Sequence, residues 1–461
     1  MALLRSIATV GGFTMISRLL GFARDILIAA ILGAGPVADA FFVAFKLPNF
    51  FRRLFAEGAF NAAFVPLFTR QMTEGGEAHA RAFAEEVLAV FVAALLFFVT
   101  ALQVAMPWVM HGFAPGFVGD PDRFDLAVTL AQITFPYLLF ISLVSQLGGV
   151  LNALGRFAAA AATPIILNLC LIAAILALTP FVETPGHALA WGVAAAGAAQ
   201  FVWLMIACAR ADFSLRLPRP RLTPRVKRLL VLMLPGAIGA GVVQVNLLID
   251  VVIASLLPQG SVSYLYYADR VNQLPLGVIG VAVGTALLPL LSRQLRAANS
   301  SMNRALEFAL LLTLPAAAAL LVIPDPIVSV LFERGEFGAA TTAATAAALA
   351  AYALGLPAYV LIKVLAPGFF AREDTVTPVK VAAGCVGINL ALNLLLMGPL
   401  LHVGVALATA VSAWVNAGLL AWLLVRRGHF TADPRLRRAM GRTLLASVAM
   451  AALLWLVLGA L

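Results

Sequence analysis

The residues best placed to do chemistry are charged side chains standing inside long apolar runs. Arg18, Arg24 and Asp25 interrupt the first run, Asp39, Lys46, Arg52, Arg53 and Glu57 the second, and Asp269 and Arg270 the eighth. A charge at mid-depth of a bilayer costs ~2.5 to 3.5 kcal/mol on insertion scales, so it normally faces a cavity or a partner. Asp39, Lys46, Arg53 and Glu57 recur at spacings of seven, seven and four, which lines them up on one face of a helix. Pro48 and Asn49 are placed to kink that helix and turn Arg52 toward the same space. The bland alternative for each arginine is snorkelling to the interface or a structural ion pair, and Arg5, Arg53 and Arg70 are the cases for it. Arg18, Arg24, Arg52 and Arg270, however, outnumber the nearby acids Asp25, Glu57 and Asp269. The surplus suits an anion. Guanidinium forks bind phosphate oxygens two at a time and stay charged in any environment, which makes a pyrophosphate group a sensible guest and a cationic cargo a poor one.

A second constellation is poor in charge and rich in oxygen. Asp250 lies deep in the seventh run, Asn389 and Asn393 share a face of the eleventh at a spacing of four, and Thr409 lies midway along the twelfth. One carboxylate with amide and hydroxyl oxygens is a hard donor set, better suited to an alkali cation than to a transition metal. The competing reading is interhelical hydrogen bonding, worth ~0.6 to 2 kcal/mol per contact. Other chemistry is thinly supported. The five histidines show no zinc spacing, Cys170, Cys208 and Cys385 lie unpaired in apolar runs, and the chain holds no Walker A motif. No catalytic residue, metalloenzyme centre or nucleic-acid partner is expected, and the chain is expected to work as a monomer.

The elements that must carry these residues follow from composition. A 461-residue chain that is 62% hydrophobic and 11% charged is not an ordinary soluble protein, whose charged fraction runs near a quarter. At ~20 apolar residues per span and ~10 to 15 per connection the length holds roughly thirteen spans and no sizeable soluble domain. The apolar stretches predict helices at Ile7–Leu32, Ala38–Phe68, Ala82–Met110, Leu126–Leu154, Ala158–Phe181, Ala188–Ala209 and Leu229–Leu257, then Tyr264–Leu291, Ala305–Ile323, Thr342–Phe370, Pro378–Met397, Val403–Val425 and Leu444–Leu458. Lys and Arg exceed Asp and Glu by 31 to 21. The excess concentrates in alternate connections, such as Arg210–Arg228 and Arg426–Arg438, which predicts a cytoplasmic N-terminus by the positive-inside rule. Arg18, Arg24 and Asp25 also argue against a cleaved signal peptide at the start.

The chain repeats itself. Asp25-Ile-Leu-Ile-Ala-Ala-Ile-Leu32 reads like Asp250-Val-Val-Ile-Ala-Ser-Leu-Leu257, and Phe64-Val-Pro-Leu-Phe-Thr-Arg-Gln71 like Leu287-Leu-Pro-Leu-Leu-Ser-Arg-Gln294. Two parallel repeats of six helices predict an all-α polytopic membrane protein with two pseudo-symmetric lobes around a central cavity. The expected division is 1–213 for the first lobe, 214–430 for the second and 431–461 for a further C-terminal helix, with the Pro- and Arg-rich connector Ser214–Lys227 as hinge.

Five motifs, taken together, carry a family resemblance. Ser17-Arg-Leu-Leu-Gly-Phe-Ala-Arg-Asp25, Asp39-Ala-Phe-Phe-Val-Ala-Phe-Lys-Leu-Pro-Asn49, Arg52-Arg-Leu-Phe-Ala-Glu-Gly-Ala-Phe60, Tyr266-Tyr-Ala-Asp-Arg270 and Lys363-Val-Leu-Ala-Pro-Gly-Phe369 resemble the MurJ/MviN family of lipid II flippases, over the whole chain. The resemblance implies the multidrug/oligosaccharidyl-lipid/polysaccharide exporter superfamily and a bacterial cytoplasmic membrane. It assigns the substrate role to Arg18, Arg24, Arg52 and Arg270, with lipid II, an undecaprenyl-pyrophosphate-linked peptidoglycan precursor, as cargo. It also implies a sodium site in the second lobe, to which Val405 would give its backbone carbonyl. The family pattern has fourteen helices where thirteen are read here, which predicts a truncation or a short form and leaves the lipid-tail groove of the C-terminal pair in question. Rival readings are an exporter of another polyprenyl-pyrophosphate oligosaccharide, a multidrug exporter of the same superfamily and a membrane glycosyltransferase. The cationic residues oppose the multidrug reading. The short loops oppose the enzyme.

Overall fold

The computed structural model describes residues 2–54, 60–293 and 298–460, with side chains placed at 9–54, 60–236, 241, 244–277 and 299–459. Among these residues the regular structure is helical, with no strand. In chain order the helices are α1 (Ala2–Leu32), α2 (Pro36–Arg52), α3 (Asn61–Val104), α4 (Met106–Phe113), α5 (Pro121–Thr134), α6 (Tyr137–Ala153), α7 (Phe157–Ala177) and α8 (Pro185–Ala209). They continue with α9 (Pro224–Ser255), α10 (Ser261–Arg293), α11 (Ala298–Val322), α12 (Pro324–Phe332), α13 (Ala339–Phe370), α14 (Val376–Arg426) and α15 (Pro434–Ala460). Proline marks several starts. Pro36, Pro121, Pro185 and Pro324 each open a helix, where a missing N–H costs nothing and the fixed φ is already helical.

Two helices are too long to be single spans. At about 1.5 Å per residue α14 would reach roughly 75 Å, more than twice the ~30 Å hydrocarbon core of a bilayer. It breaks at Leu401, whose φ of 49° leaves the helical region, and so divides into the eleventh and twelfth predicted helices. Just beyond, Gly404 lies against the Leu396 carbonyl, in the space a side chain would need. In α3 the break is Gly76, at φ 74°, which separates the end of the second predicted helix from the third. The remaining predicted helices appear in order, the fourth as α5 and α6 bent at Phe135–Pro136.

Eight helices among the described residues are long and apolar enough to cross a membrane. Large apolar side chains point outward, including Phe97 at 78%, Trp108 at 72% and Trp455 at 68% exposure. Such a surface is stable only against lipid, and the chain is an integral membrane protein.

The chain forms two compact units, Met1–Gln244 and Val245–Leu461. In the first, α1 packs on α7, α2 on α5, α3 on α6, and α8 on both α6 and α7. Its core includes a stack of Phe60, Phe64, Phe68 and Phe83, closed by Phe213, Val226 and Leu229. In the second unit α13 is the hub for α10, α11, α12 and α14, while α15 packs on α11. Small residues allow the closest approach there: a side chain at Gly355 would meet Ala410 at 2.8 Å.

The division falls inside α9, whereas the sequence places it at the connector. The connector is extended and fastened to the first unit: the Arg216 amide donates to Glu85 at 2.8 Å, and Glu86 accepts from Thr223 at 2.8 Å and Arg225 at 2.5 Å. Val226 and Leu229 then carry the start of α9 into the first unit's core.

Candidate functional site

In the first unit the charged residues separate into distinct arrangements. Arg24 and Asp25 are adjacent on α1 and both buried, at 5% and 2% exposure. Nε and Nη2 of Arg24 donate to the same oxygen, Asp25 Oδ1, at 3.0 and 2.7 Å. Nη1 donates to Oδ1 of Asn168 on α7 at 2.9 Å, and Asn168 Nδ2 donates in turn to the Ser17 carbonyl at 2.9 Å. An arginine with three of its five N–H groups engaged keeps its charge and gains a fixed orientation. Arg18, on the same helix, is exposed.

Asp39 takes a different course. It is wholly buried, and its Oδ2 accepts from Nη2 of Arg123 on α5 at 2.6 Å, while the Arg123 guanidinium lies 3.7 Å from the Phe117 ring centroid. Nothing local connects two residues 84 apart in the chain. Lys46 and Arg52 are half-buried and Arg53 is exposed. Arg53, still helical at φ −67°, lies exposed at the end of α2 while Asp39 is buried at its start, so the seven-residue spacing does not leave the two in one environment. Glu57 lies outside the described residues.

In the second unit Asp269 and Arg270 follow one another on α10, both half-buried. Arg270 lies 4.8 Å from the Tyr266 ring centroid and donates to the Tyr266 hydroxyl at 3.2 Å, while Gln273 donates to Asp269. A guanidinium over a tyrosine face is positioned without losing its charge.

The oxygen-rich cluster forms around Asp250 on α9. Its Oδ1 accepts from Asn389 Nδ2 at 2.9 Å and from Asn393 Nδ2 at 3.1 Å. Asn246, one turn earlier on α9, accepts from Asn389 at 3.0 Å. Sequence reasoning missed Asn246, although its spacing of four from Asp250 was a signal for it. Both α14 asparagines are wholly buried, and their Oδ1 atoms accept no hydrogen bond among the described residues. Two buried amide oxygens without a donor, beside a carboxylate, fit a hard cation. Thr409 donates to the Val405 carbonyl at 3.0 Å, a contact within α14. No group of three His, Cys, Asp or Glu suited to a transition metal occurs among the described residues.

The two clusters occupy equivalent places in the repeat. Asp250 corresponds to Asp25, and the same offset carries Asn168 onto Asn393, each within the pattern Leu-Asn-Leu. Each lobe thus ties its first helix to its fifth through this Asn, which accepts from Arg24 in the first lobe and donates to Asp250 in the second. The difference lies at the residue before the acid, Arg24 in one and Ile249 in the other.

Known proteins share this architecture and sequence. The family model described as Lipid II flippase MurJ matches residues 28–461. A protein of Rhizobium meliloti (strain 1021) named "Probable lipid II flippase MurJ" is 50% identical over 99% of this chain and 86% of its own length. A solved structure of a lipid II flippase MurJ in an inward closed conformation superposes with a TM-score of 0.82 at 26% identity, covering 98% of each chain. An inward-facing multidrug MATE transporter superposes with a TM-score of 0.69 at 15% identity over 91% of this chain and 98% of its own, which shows a shared fold. The extent of the sequence match, with a membrane-embedded helical fold to go with it, places this chain in the MurJ family of lipid II flippases, which are transporters and not enzymes.

Proposed function

We propose that the chain moves lipid II from the cytoplasmic to the outer leaflet of the bacterial cytoplasmic membrane by alternating access, with its N-terminus in the cytoplasm and without chemical change to the cargo. The observation that carries this reading is the match along 99% of the chain to a relative named for that cargo. The arrangement of the arginines supports it. Arg24 is held ready by Asp25 and Asn168, Arg270 by Tyr266, and Arg18 and Arg52 add charge that a diphosphate can use. Asp25 and Asp269 moderate that charge, and Arg53 and Glu57 follow Arg52 in sequence.

A sodium ion in the second lobe is part of the proposal. Asp250, Asn389 and Asn393 would hold it, with Asn246, Thr409 and the Val405 carbonyl as further oxygens. When bound, it supplies a charge whose entry and exit couple transport to an ion gradient. The chain's own groups orient the donors: Asn246 and Asp250 engage the amide nitrogens, which leaves the amide oxygens available for a cation.

The test is reconstitution. Purified protein in liposomes should move labelled lipid II to the opposite leaflet with its mass unchanged, and Ala at Arg24, Arg52 or Arg270 should stop that movement. A product of altered mass would indicate an enzyme. Undiminished movement by all three variants would overturn the assignment of the cations.

A further inference from the structure

Asp25 holds Arg24 at a single point, because Nε and Nη2 both donate to Oδ1. A guanidinium bonded to one oxygen can rock about it. Asn168 supplies the second point, on the opposite terminal nitrogen, from a different helix. Its own orientation is set by chemistry. Arg24 offers only donors and the Ser17 carbonyl only accepts, so the amide oxygen must face Arg24 and the amide nitrogen Ser17. Asn168 is 5% exposed, so water competes little for these bonds.

We propose that Asn168 is a positioning residue for the cargo's diphosphate: it fixes the rotation of Arg24 so that the two remaining N–H groups, one on each terminal nitrogen, meet phosphate oxygens. This rests on the reading of Arg24 as a diphosphate contact. The amide is the apt group. It orients the guanidinium as a carboxylate would, without cancelling more of its charge; with Asp25 already present, a second carboxylate would leave the cluster net negative and repel the ligand. The counterpart Asn393 turns its nitrogen, not its oxygen, to the lobe's charged group, because that group is the acid Asp250.

The experiment is a double-mutant cycle on the full chain in nanodiscs, with undecaprenyl diphosphate as the probe and its Kd as the readout. Asn168→Ala should weaken binding about tenfold, as loss of a charge-assisted hydrogen bond predicts, and Asn168→Asp, the same size, should weaken it at least as much. Asn168→Ala should not weaken it further when Arg24 is already Ala. An equal loss in both backgrounds would mean that Asn168 acts by packing, and an unchanged Kd for either single variant would likewise overturn the proposal while leaving the function intact. If Arg24→Ala itself bound the probe as the parent does, the reading of Arg24 would fall, and the role of Asn168 with it.

Discussion

The two repeat-related carboxylates, Asp25 and Asp250, show how one scaffold handles the same electrostatic problem in two ways. Both lie on the first helix of their lobe; Asp250 accepts directly from an asparagine on the fifth, and Asp25 is linked to its asparagine through Arg24. In the first lobe the neighbouring residue is Arg24, which brings the counter-charge covalently and leaves Asn168 to accept a bond. In the second the neighbour is Ile249, and the hydrogen bonds that Asp250 accepts from Asn389 and Asn393 come from neutral amides whose oxygens stay available. Burying a carboxylate is costly unless charge or hydrogen bonds compensate it. A built-in guanidinium makes that compensation permanent and gives the lobe a fixed anion contact. Amide donors bring no fixed charge of their own and keep their oxygens for a cation that comes and goes.

The largest expected effect breaks the first arrangement. Arg24→Ala strips a buried carboxylate of its guanidinium and should cost about 3–5 kcal/mol of stability, read as a lower unfolding midpoint in detergent, together with loss of transport. Arg24→Lys should recover transport poorly, because an ammonium lacks the planar fork. A midpoint unmoved by Arg24→Ala would show that the cluster does not hold α1 to α7.

Asp250→Ala tests the second arrangement. Sodium should protect the parent from heat more than potassium does, by an amount set by mass action, about 2.7 kcal/mol at a hundredfold excess over Kd. The variant should respond to both salts alike. Equal protection of the parent by both would reduce the cluster to interhelical hydrogen bonding.

Ile249→Arg sharpens the comparison by moving the first lobe's solution into the second. A guanidinium beside Asp250 should abolish the sodium effect while keeping the protein folded, since Ile249 is only half-buried. Persistent selective protection by sodium in this variant would show that the two acids are not handled in equivalent ways.

The smallest effect is a surface control in the second lobe. Asp374, in the turn between α13 and α14, accepts from the Thr377 amide at 2.9 Å and pairs with Arg427 at 2.5 Å. Hydrogen bonds from Thr377, then the Arg427 bond and charge, hold its carboxyl down at about 2. A depressed folded value means that this stabilisation is present above the ordinary carboxylate range and fades as pH falls toward 2. The midpoint difference between the parent and Asp374→Asn should therefore be positive near neutrality and vanish near pH 2. A constant difference would assign the effect to packing.

Sequence alone determined the helices and their order, because in lipid every backbone group must be satisfied within its own segment and ~20 apolar residues suffice to mark one. It also determined which charges lie inside the apolar runs and, through the motifs around Arg24, Asp39, Arg52 and Arg270, the family. Tertiary structure alone decided the partners. Asp39 meets Arg123 from another helix, Arg53 stays exposed while Asp39 is buried, and the boundary between units falls inside α9, whose Val226 and Leu229 pack with the phenylalanine core. Asn168 and Asn246 escaped notice as neutral residues in apolar helices. Their roles depend on how neighbouring helices are rotated and how closely they pack, and a linear pattern of apolar and charged residues does not encode the contacts between helices distant in the chain.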